Sequence, residues 1–232
     1  MRFAERLIRI GSFIAAGTML SACAMFGDTP ATPDAAAPVD GNSATAAKVV
    51  KDAAAGPAAK PDVPVSPAVQ RAYDSARQAL AAGRTPEAER GFVALTKSNP
   101  ELAGPYANLG VIHRQAGRTA DAVAALEKAV QLSPQRAELH NQLGITYRTA
   151  GDFARAKASY EQATALNAAY APAVLNLGIL YDLYLWDGVR ALELYDRYMQ
   201  LTPGGDAQVQ RWISDLRNRT TQKSAPQRKE QG

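Results

Sequence analysis

A pattern that returns every 34 residues constrains this 232-residue chain more than any other feature of its sequence. Each period contains two segments of helical length, with apolar residues three and four positions apart. The best-defined positions are a Leu-Gly pair in the first segment and an alanine in the second: Leu109, Gly110 and Ala122; Leu143, Gly144 and Ala156; Leu177, Gly178 and Ala191. One helix pair cannot bury its own apolar face, so the repeats must stack, and the sequence predicts an all-α superhelical solenoid.

Small residues predict where the helices end and where they cross. Gly83, Gly117 and Gly151 are predicted to end the first helix of a repeat, because a left-handed C-cap favours glycine. Glycine inside a helix costs roughly 1 kcal/mol relative to alanine, so the glycines of the Leu-Gly pairs predict close helix crossings. The predicted N-caps of the second helices are Thr85, Thr119, Asp152 and Asp187.

The complete spacing resembles the tetratricopeptide repeat (TPR) family. Its pattern is large-x-x-Leu-Gly-x-x-Tyr, then Ala-x-x-x-aromatic-x-x-Ala, then Pro, within 34 residues. The resemblance covers about residues 66–203, some four repeats, and residues 206–219 are predicted to form a C-terminal capping helix. The predicted folded domain therefore spans residues 66–219, and the polar residues 220–232 are predicted to be a disordered tail.

The first 22 residues have the pattern of a signal peptide. Three arginines precede an apolar stretch at residues 10–20, which is shorter than the roughly 20 residues of a membrane span. The tetrapeptide Leu-Ser-Ala-Cys that ends at Cys23 resembles the lipobox of bacterial lipoproteins. This resemblance implies removal of residues 1–22 and lipidation of Cys23, the one cysteine of the chain. The alternatives are a plain secretory signal or a small buried thiol at Cys23.

Residues 23–65 are predicted to be a disordered linker. Alanine and proline dominate this stretch, which is too poor in large apolar residues to offset the entropy lost on ordering. As a coil, about 43 residues span roughly 35–40 Å, and at the polyproline-II rise they reach on the order of 130 Å. Because Ala24 rather than Asp follows Cys23, the rule for bacterial lipoproteins favours the inner leaflet of the outer membrane.

No motif in the sequence indicates catalysis. The two histidines, His113 and His140, occupy aromatic positions of the repeat, and the chain has neither a Gly-x-Ser-x-Gly turn nor a phosphate-binding Gly-rich loop. We therefore expect no enzyme activity, no metal and no cofactor apart from the lipid on Cys23. The formal charge of +4 is small for this length and does not favour nucleic acid as a partner. An enzyme or a small-ligand receptor is the alternative of a different class.

The predicted binding surface is the concave groove that the first helices line in TPR proteins. Amide side chains can pair with the backbone of an extended peptide, and Arg114 and Arg148, one repeat apart, can hold a carboxylate. The alternative is an ordinary solvated helix face. The predicted groove residues are Tyr73, Arg77, Asn108, Arg114, Gln115, Asn141, Gln142, Arg148 and Asn176.

Two aromatic residues fall outside the repeated pattern. Tyr184 and Trp186 lie at a one-residue insertion in the fourth repeat. Exposed Tyr and Trp are typical of binding hot spots, so the pair is a second candidate contact site. Packing of the same pair against the closing helix is the equally weighted alternative.

These features together resemble the pilotin or pilus-assembly TPR lipoproteins of Gram-negative bacteria. The resemblance implies a periplasm-facing, outer-membrane-anchored scaffold that binds envelope proteins or extended peptides during assembly of a type IV pilus, a Tad pilus or a secretion system. The sequence does not indicate an oligomeric state. An adaptor for murein hydrolases or proteases, or an accessory of an energised envelope transport or motility complex, fits the same layout.

Overall fold

The computed structural model describes residues 65–224, which form nine α-helices and no strand. The helices are α1 (Pro67–Ala81), α2 (Thr85–Ser98), α3 (Ala103–Gln115), α4 (Thr119–Leu132), α5 (Ala137–Thr149), α6 (Phe153–Leu166), α7 (Ala171–Leu183), α8 (Gly188–Leu201) and α9 (Ala207–Ser224). The predicted all-α repeat fold is confirmed. The predicted signal peptide, Cys23, the predicted linker up to residue 64 and the end of the predicted tail lie outside the described residues.

The helices pack in the order in which they follow one another along the chain. Short turns make neighbours antiparallel, and α1–α2, α3–α4, α5–α6 and α7–α8 are the four most extensive contacts. The first helices also touch across repeats, α3 against α5 and α5 against α7. They therefore form one shared surface, which we call the first-helix face.

In the second, third and fourth helix pairs, close approaches occur at the predicted glycines. A Cβ atom added to Gly144 would lie 2.6 Å from two ring carbons of Tyr160, and one added to Gly178 would lie 2.8 Å from the ring of Tyr195. At Gly110 the nearest atom, in Leu126, would be 2.5 Å away. Real Cβ contacts are not this short, so only glycine lets the second helix place a large side chain against the first.

The turns within the first three repeats use glycine for its left-handed conformation, as predicted. Gly83, Gly117 and Gly151 have φ angles of 75°, 73° and 79°. The residue after each glycine donates its backbone N–H to the carbonyl five residues back, for example Arg84 to Ala79 at 2.9 Å. The first helix of each repeat therefore ends in the same hydrogen-bonded cap.

Two of the four predicted N-caps of the second helices are wrong. Asp152 and Asp187 do cap α6 and α8, accepting hydrogen bonds from backbone N–H groups three residues on. Thr85 and Thr119 instead are the first residues of α2 and α4. The 34-residue period aligns Asp152 with arginines at positions 84 and 118, and these cap residues make no side-chain capping bond.

The fourth repeat departs from this turn. The position that follows from Gly151 after 34 residues and the one-residue insertion is Trp186, and its φ is 56°. The loop still closes, because the backbone N–H of Asp187 donates to the carbonyl of Tyr181 at 3.0 Å, one residue further back than in the other repeats. Trp186 is the one described residue other than glycine with a positive φ.

The closing helix α9 covers the last repeat. Asp206 caps it by accepting from the backbone N–H groups of Gln208 and Val209 at 2.9 and 3.2 Å. Trp212 is half-buried, with its ring centre 5.8 Å from that of Tyr195. The helix runs to Ser224, beyond the predicted end at residue 219. Its outer face, with Gln208, Arg211, Asp215 and Arg217, is exposed, and its apolar face is buried at Val209, Ile213 and Leu216.

The first testable consequence concerns the glycine crossings. Gly144→Ala is expected to lower the free energy of unfolding by about 1–3 kcal/mol, because the methyl group overlaps the fully buried ring of Tyr160. An unhindered helical glycine would instead gain up to about 1 kcal/mol from this change. Urea denaturation of Gly144→Ala in the wild-type and Tyr160→Ala backgrounds separates the two effects. If the substitution destabilises both backgrounds equally, the ring is not the cause.

The second testable consequence concerns Trp186, whose backbone has the left-handed conformation. A residue with a Cβ atom costs roughly 1–2 kcal/mol in this conformation, and glycine loses about 0.5–1 kcal/mol more backbone entropy on folding. Trp186→Gly is therefore expected to raise the free energy of unfolding by about 0.5–1 kcal/mol, measured by urea denaturation. The matched control, Gly151→Ala, should lower it. A loss of stability in Trp186→Gly would show that the indole contributes to the fold.

Candidate binding face

The nine predicted groove residues all lie on the first helices of the repeats. Helices α1, α3, α5 and α7 carry two, three, three and one of them. Arg77 and Gln115 are exposed, whereas Asn141 and Gln142 are buried and the other five are half-buried. The nine residues therefore share the first helices, most of their polar side chains are partly withdrawn from solvent, and their role in binding stays a prediction.

Two of the predicted amides join neighbouring repeats. The side-chain amide of Asn108 donates to the hydroxyl oxygen of Tyr73 and to the carbonyl of Gly104, both at 2.9 Å. Asn176 donates to the side-chain oxygen of Asn141 at 3.1 Å. Both pairs are 35 residues apart, so the same seam between first helices is bridged twice. These amide groups stabilise the stack in this structure, and Asn141 is fully buried.

Arg114 bridges α3 and α5 at the middle of this seam. Its guanidinium donates to the backbone carbonyl and the side-chain oxygen of Gln142 at 3.2 and 2.9 Å, and to the hydroxyl of Thr146 at 3.0 Å. All three acceptors are neutral. Burial lowers the pKa of Arg114 to about 10; the tyrosine Tyr160 opposes this effect and the positive charge of Arg148 adds to it. Sequence reasoning missed Thr146, which has no distinctive position in the repeat pattern.

Arg148 occupies the same position one repeat later. Its guanidinium carbon lies 5.9 Å from the centre of the Tyr184 ring. Its Nε has no hydrogen-bond partner among the described residues, and neither does the buried hydroxyl of Tyr160. Burial raises the pKa of Tyr160 to about 12, while the nearby charges of Arg148 and Arg114 oppose this rise.

The two arginines lack a carboxylate partner within the described part of the chain. No Asp or Glu oxygen of residues 65–224 lies within 4 Å of a side-chain nitrogen of Arg114 or Arg148. Asp182, one further repeat along, instead accepts from Arg219 of α9 at 3.2 Å and from Tyr195 at 3.3 Å. Charged groups withdrawn from water are normally paired with an opposite charge. Two neighbouring guanidiniums without a carboxylate therefore favour the binding of an acidic group from another molecule.

The second candidate site has a different character from the first. Tyr184 packs on Phe153 of α6, with ring centres 4.7 Å apart. Trp186 is 78% exposed, and Leu183 and Val189 beside it are 49% and 64% exposed. The closing helix therefore does not cover Trp186, contrary to one of the two sequence interpretations. We call Leu183, Trp186 and Val189 the Trp186 turn.

The two histidines, which are the other candidates for chemistry, contact neighbouring groups of the protein. His113 is half-buried with Nδ1 3.7 Å from Glu89 Oε1, and His140 Nε2 lies 2.8 Å from the carbonyl of Pro134. Residues 65–224 contain no group of three or more His, Cys, Asp or Glu side chains that could hold a metal ion. Within the same residues no helix has the length and hydrophobicity needed to cross a bilayer.

Comparison with solved structures places this architecture among known helical repeats. The chain is similar to MamA, with 25% identity and a TM-score of 0.58 over 63% of this chain and 84% of MamA. It is similar to TTC0263, a TPR protein of Thermus thermophilus, with 22% identity and a TM-score of 0.55 over 75% and 90% of the two chains. It is also similar to pilF of Pseudomonas aeruginosa, with 18% identity and a TM-score of 0.61 over 67% of this chain and 70% of pilF.

Family models match the sequence over much of the same region. Two tetratricopeptide-repeat models match residues 101–169 and 141–206. The chain matches none of the curated protein sequences compared with it. The two models overlap and together cover the three repeats with the clearest sequence pattern. With the helix packing described above, the nine described helices form a solenoid in which α3 to α8 match tetratricopeptide repeats and α9 closes the last repeat.

Proposed function

We propose that this protein is a lipid-anchored scaffold of the bacterial envelope that binds an acidic segment of a partner protein on its first-helix face. Tetratricopeptide repeats form surfaces for protein–protein interaction. The chemistry of the first-helix face supports the more specific proposal that the bound segment is acidic. The observation that carries it is the pair Arg114 and Arg148, adjacent, half-buried and without a carboxylate partner in residues 65–224.

The arginine pair is pre-organised for this role. Three hydrogen bonds to Gln142 and Thr146 fix the plane of the Arg114 guanidinium, and they use three of its five N–H groups. Arg148 lies over the Tyr184 ring, and its Nε is buried, so binding of a carboxylate relies on its terminal N–H groups. A carboxylate can accept from an arginine whose position is already fixed, and preorganisation of this kind reduces the entropic cost of binding.

The asparagines have a supporting role in this proposal. Asn108 and Asn176 each use an N–H group in a bond between repeats, so we assign them to holding the first helices in register. Exposed Arg77 and Gln115 remain available at the edge of the same face. Recognition is therefore proposed to depend on the acidic group of the partner more than on backbone hydrogen bonds.

The cellular setting is proposed from the N-terminal sequence. The lipobox-like tetrapeptide ending at Cys23 supports lipidation and the outer membrane, and the predicted linker supports a domain that faces the periplasm at a distance from the bilayer. Assembly of a pilus or secretion machine is the first candidate process. Gathering of murein hydrolases or proteases is the second. The likeness to pilF, at 18% identity, supports the fold alone.

The arginine pair can be tested with peptides. We expect an array of 15-residue peptides from envelope proteins to contain sequences that bind about tenfold more tightly with Asp and Glu than with Asn and Gln, since a charge-assisted hydrogen bond contributes about 1.5–3 kcal/mol. Arg148→Met should remove that preference, because it keeps the apolar stem and removes the charge. Fluorescence anisotropy of the selected peptides measures both affinities.

A matched substitution controls for net charge. Arg90, on α2, is exposed and away from the first-helix face, so Arg90→Met should retain the preference for acidic peptides. Circular dichroism melting confirms that each variant is folded. Equal affinity of wild-type protein for the acidic and amide forms, or an unchanged preference in Arg148→Met, would contradict the proposed site.

Anchoring makes a separate prediction. Wild-type cells should incorporate labelled palmitate into the protein, and Cys23→Ser should abolish incorporation because the thiol that receives the lipid is absent. A chain with Cys23→Ser behind a plain secretory signal should appear in the soluble periplasmic fraction. Retention of that chain in washed membranes would contradict lipid anchoring. Crosslinking of the lipidated protein in envelopes, followed by mass spectrometry, then separates a secretin or pilus partner from murein hydrolases.

A further inference from the structure

The Trp186 turn concentrates the exposed apolar surface of the domain. Leu183, Trp186 and Val189 are the exposed large hydrophobic residues of the described chain, and all three lie within seven positions at the junction of α7 and α8. The other three repeats have glycine at this turn. The turn of the fourth repeat, which contains the insertion, therefore carries exposed apolar side chains where the other repeats have a glycine turn.

The fold itself does not account for Trp186. The indole is 78% exposed, so it contributes little buried area, and its backbone has the left-handed conformation that glycine adopts at the equivalent turns. Strained positions of this kind concentrate at sites that contact something outside the fold. The neighbouring Tyr184 shows the contrast, because it packs on Phe153 and is half-buried.

We propose that the Trp186 turn inserts into the interface of the bilayer to which the chain is anchored. Tryptophan favours the headgroup region, where its ring is in apolar contact and its N–H remains hydrated, and Leu183 and Val189 suit the acyl boundary. The nearest charges balance each other, because Arg190 pairs with Asp187 at 3.3 Å and also donates to the Tyr181 hydroxyl at 3.1 Å. Since the turn has no net positive charge, anionic lipid is not required.

The size of the patch favours a membrane over a second copy of the chain. Three side chains supply on the order of 400 Å² of surface, taking 150–250 Å² for an aromatic residue. A stable protein interface needs roughly 800 Å² on each partner. A lipid interface has no such minimum when another anchor supplies most of the affinity, because weak contacts then act at a high effective concentration.

This inference rests on the proposed anchoring at Cys23, and the chain length allows it. Helices pack about 8–10 Å apart, so the six helix-to-helix steps from α1 to α7 separate the start of the domain from the turn by at most about 60 Å. Residues 23–65 reach on the order of 130 Å when extended. The anchored domain can therefore bring the Trp186 turn to the same bilayer.

Tryptophan fluorescence tests the contact directly. The chain has two tryptophans, so Trp212→Phe leaves Trp186 as the sole emitter. We expect the lipidated variant, reconstituted in phosphatidylcholine vesicles, to emit at shorter wavelength than in solution and to be quenched by brominated acyl chains. Vesicles containing phosphatidylglycerol should give the same result. The matched control places the sole tryptophan at exposed Gln131 of α4, using Trp186→Gly, Trp212→Phe and Gln131→Trp, and should not be quenched.

Flotation of the vesicles distinguishes the two ways in which this proposal can fail. Protein that floats with the vesicles while Trp186 remains unquenched would overturn the insertion and leave the anchoring intact. Protein that does not float would refute the anchoring, and the insertion would fall with it. Protection of Trp186 from aqueous quencher only after addition of envelope protein, without quenching by brominated lipid, would show that the turn contacts a protein and would overturn the membrane assignment.

Discussion

The stack depends on one contact that occurs in three successive repeats, where a glycine of the first helix meets a large side chain of the second. The pairs are Gly110 with Leu126, Gly144 with Tyr160 and Gly178 with Tyr195. The missing Cβ atom permits the helices to approach closely enough to bury these side chains completely, and their burial supplies the apolar core of each pair. Every other feature of the domain, including the shared first-helix face, requires this separation between helices.

A second kind of contact joins the repeats to one another, and it is polar. Tyr73 with Asn108, and Asn141 with Asn176, bridge first helices by side-chain hydrogen bonds. Between them Arg114 performs the same bridging with a charged group. Side-chain hydrogen bonds of this kind favour one register of the stack, although the Nδ2 atom of the fully buried Asn141 has no partner among the described residues. Arg114, one member of the candidate binding pair, is therefore part of the structural seam and not an addition to it.

The fourth repeat combines regular packing with an irregular turn. Gly178 and Tyr195 preserve the crossing, and Asp187 preserves the cap, while the inserted residue brings Trp186 into the position of the turn glycine. The irregular turn at Trp186 lies at the surface. The core of the fourth repeat is still covered by the closing helix α9, whose Arg219 pairs with Asp182. A local departure with so little consequence for the core is suited to an additional contact outside the fold.

The sequence alone was sufficient for the fold class, the turn glycines and the capping helix, because each depends on local spacing and on residues whose backbone freedom is unusual. Helical periodicity also determines which residues share a face, so the nine predicted groove residues all fall on first helices. It misplaced two N-caps by one residue, and it treated Asn108, Asn141 and Asn176 as free. Only the tertiary structure decided those points. Residues 35 positions apart meet through the packing of first helices, and whether a polar side chain there bonds to a neighbour or faces solvent depends on interhelical distance, which periodicity does not contain.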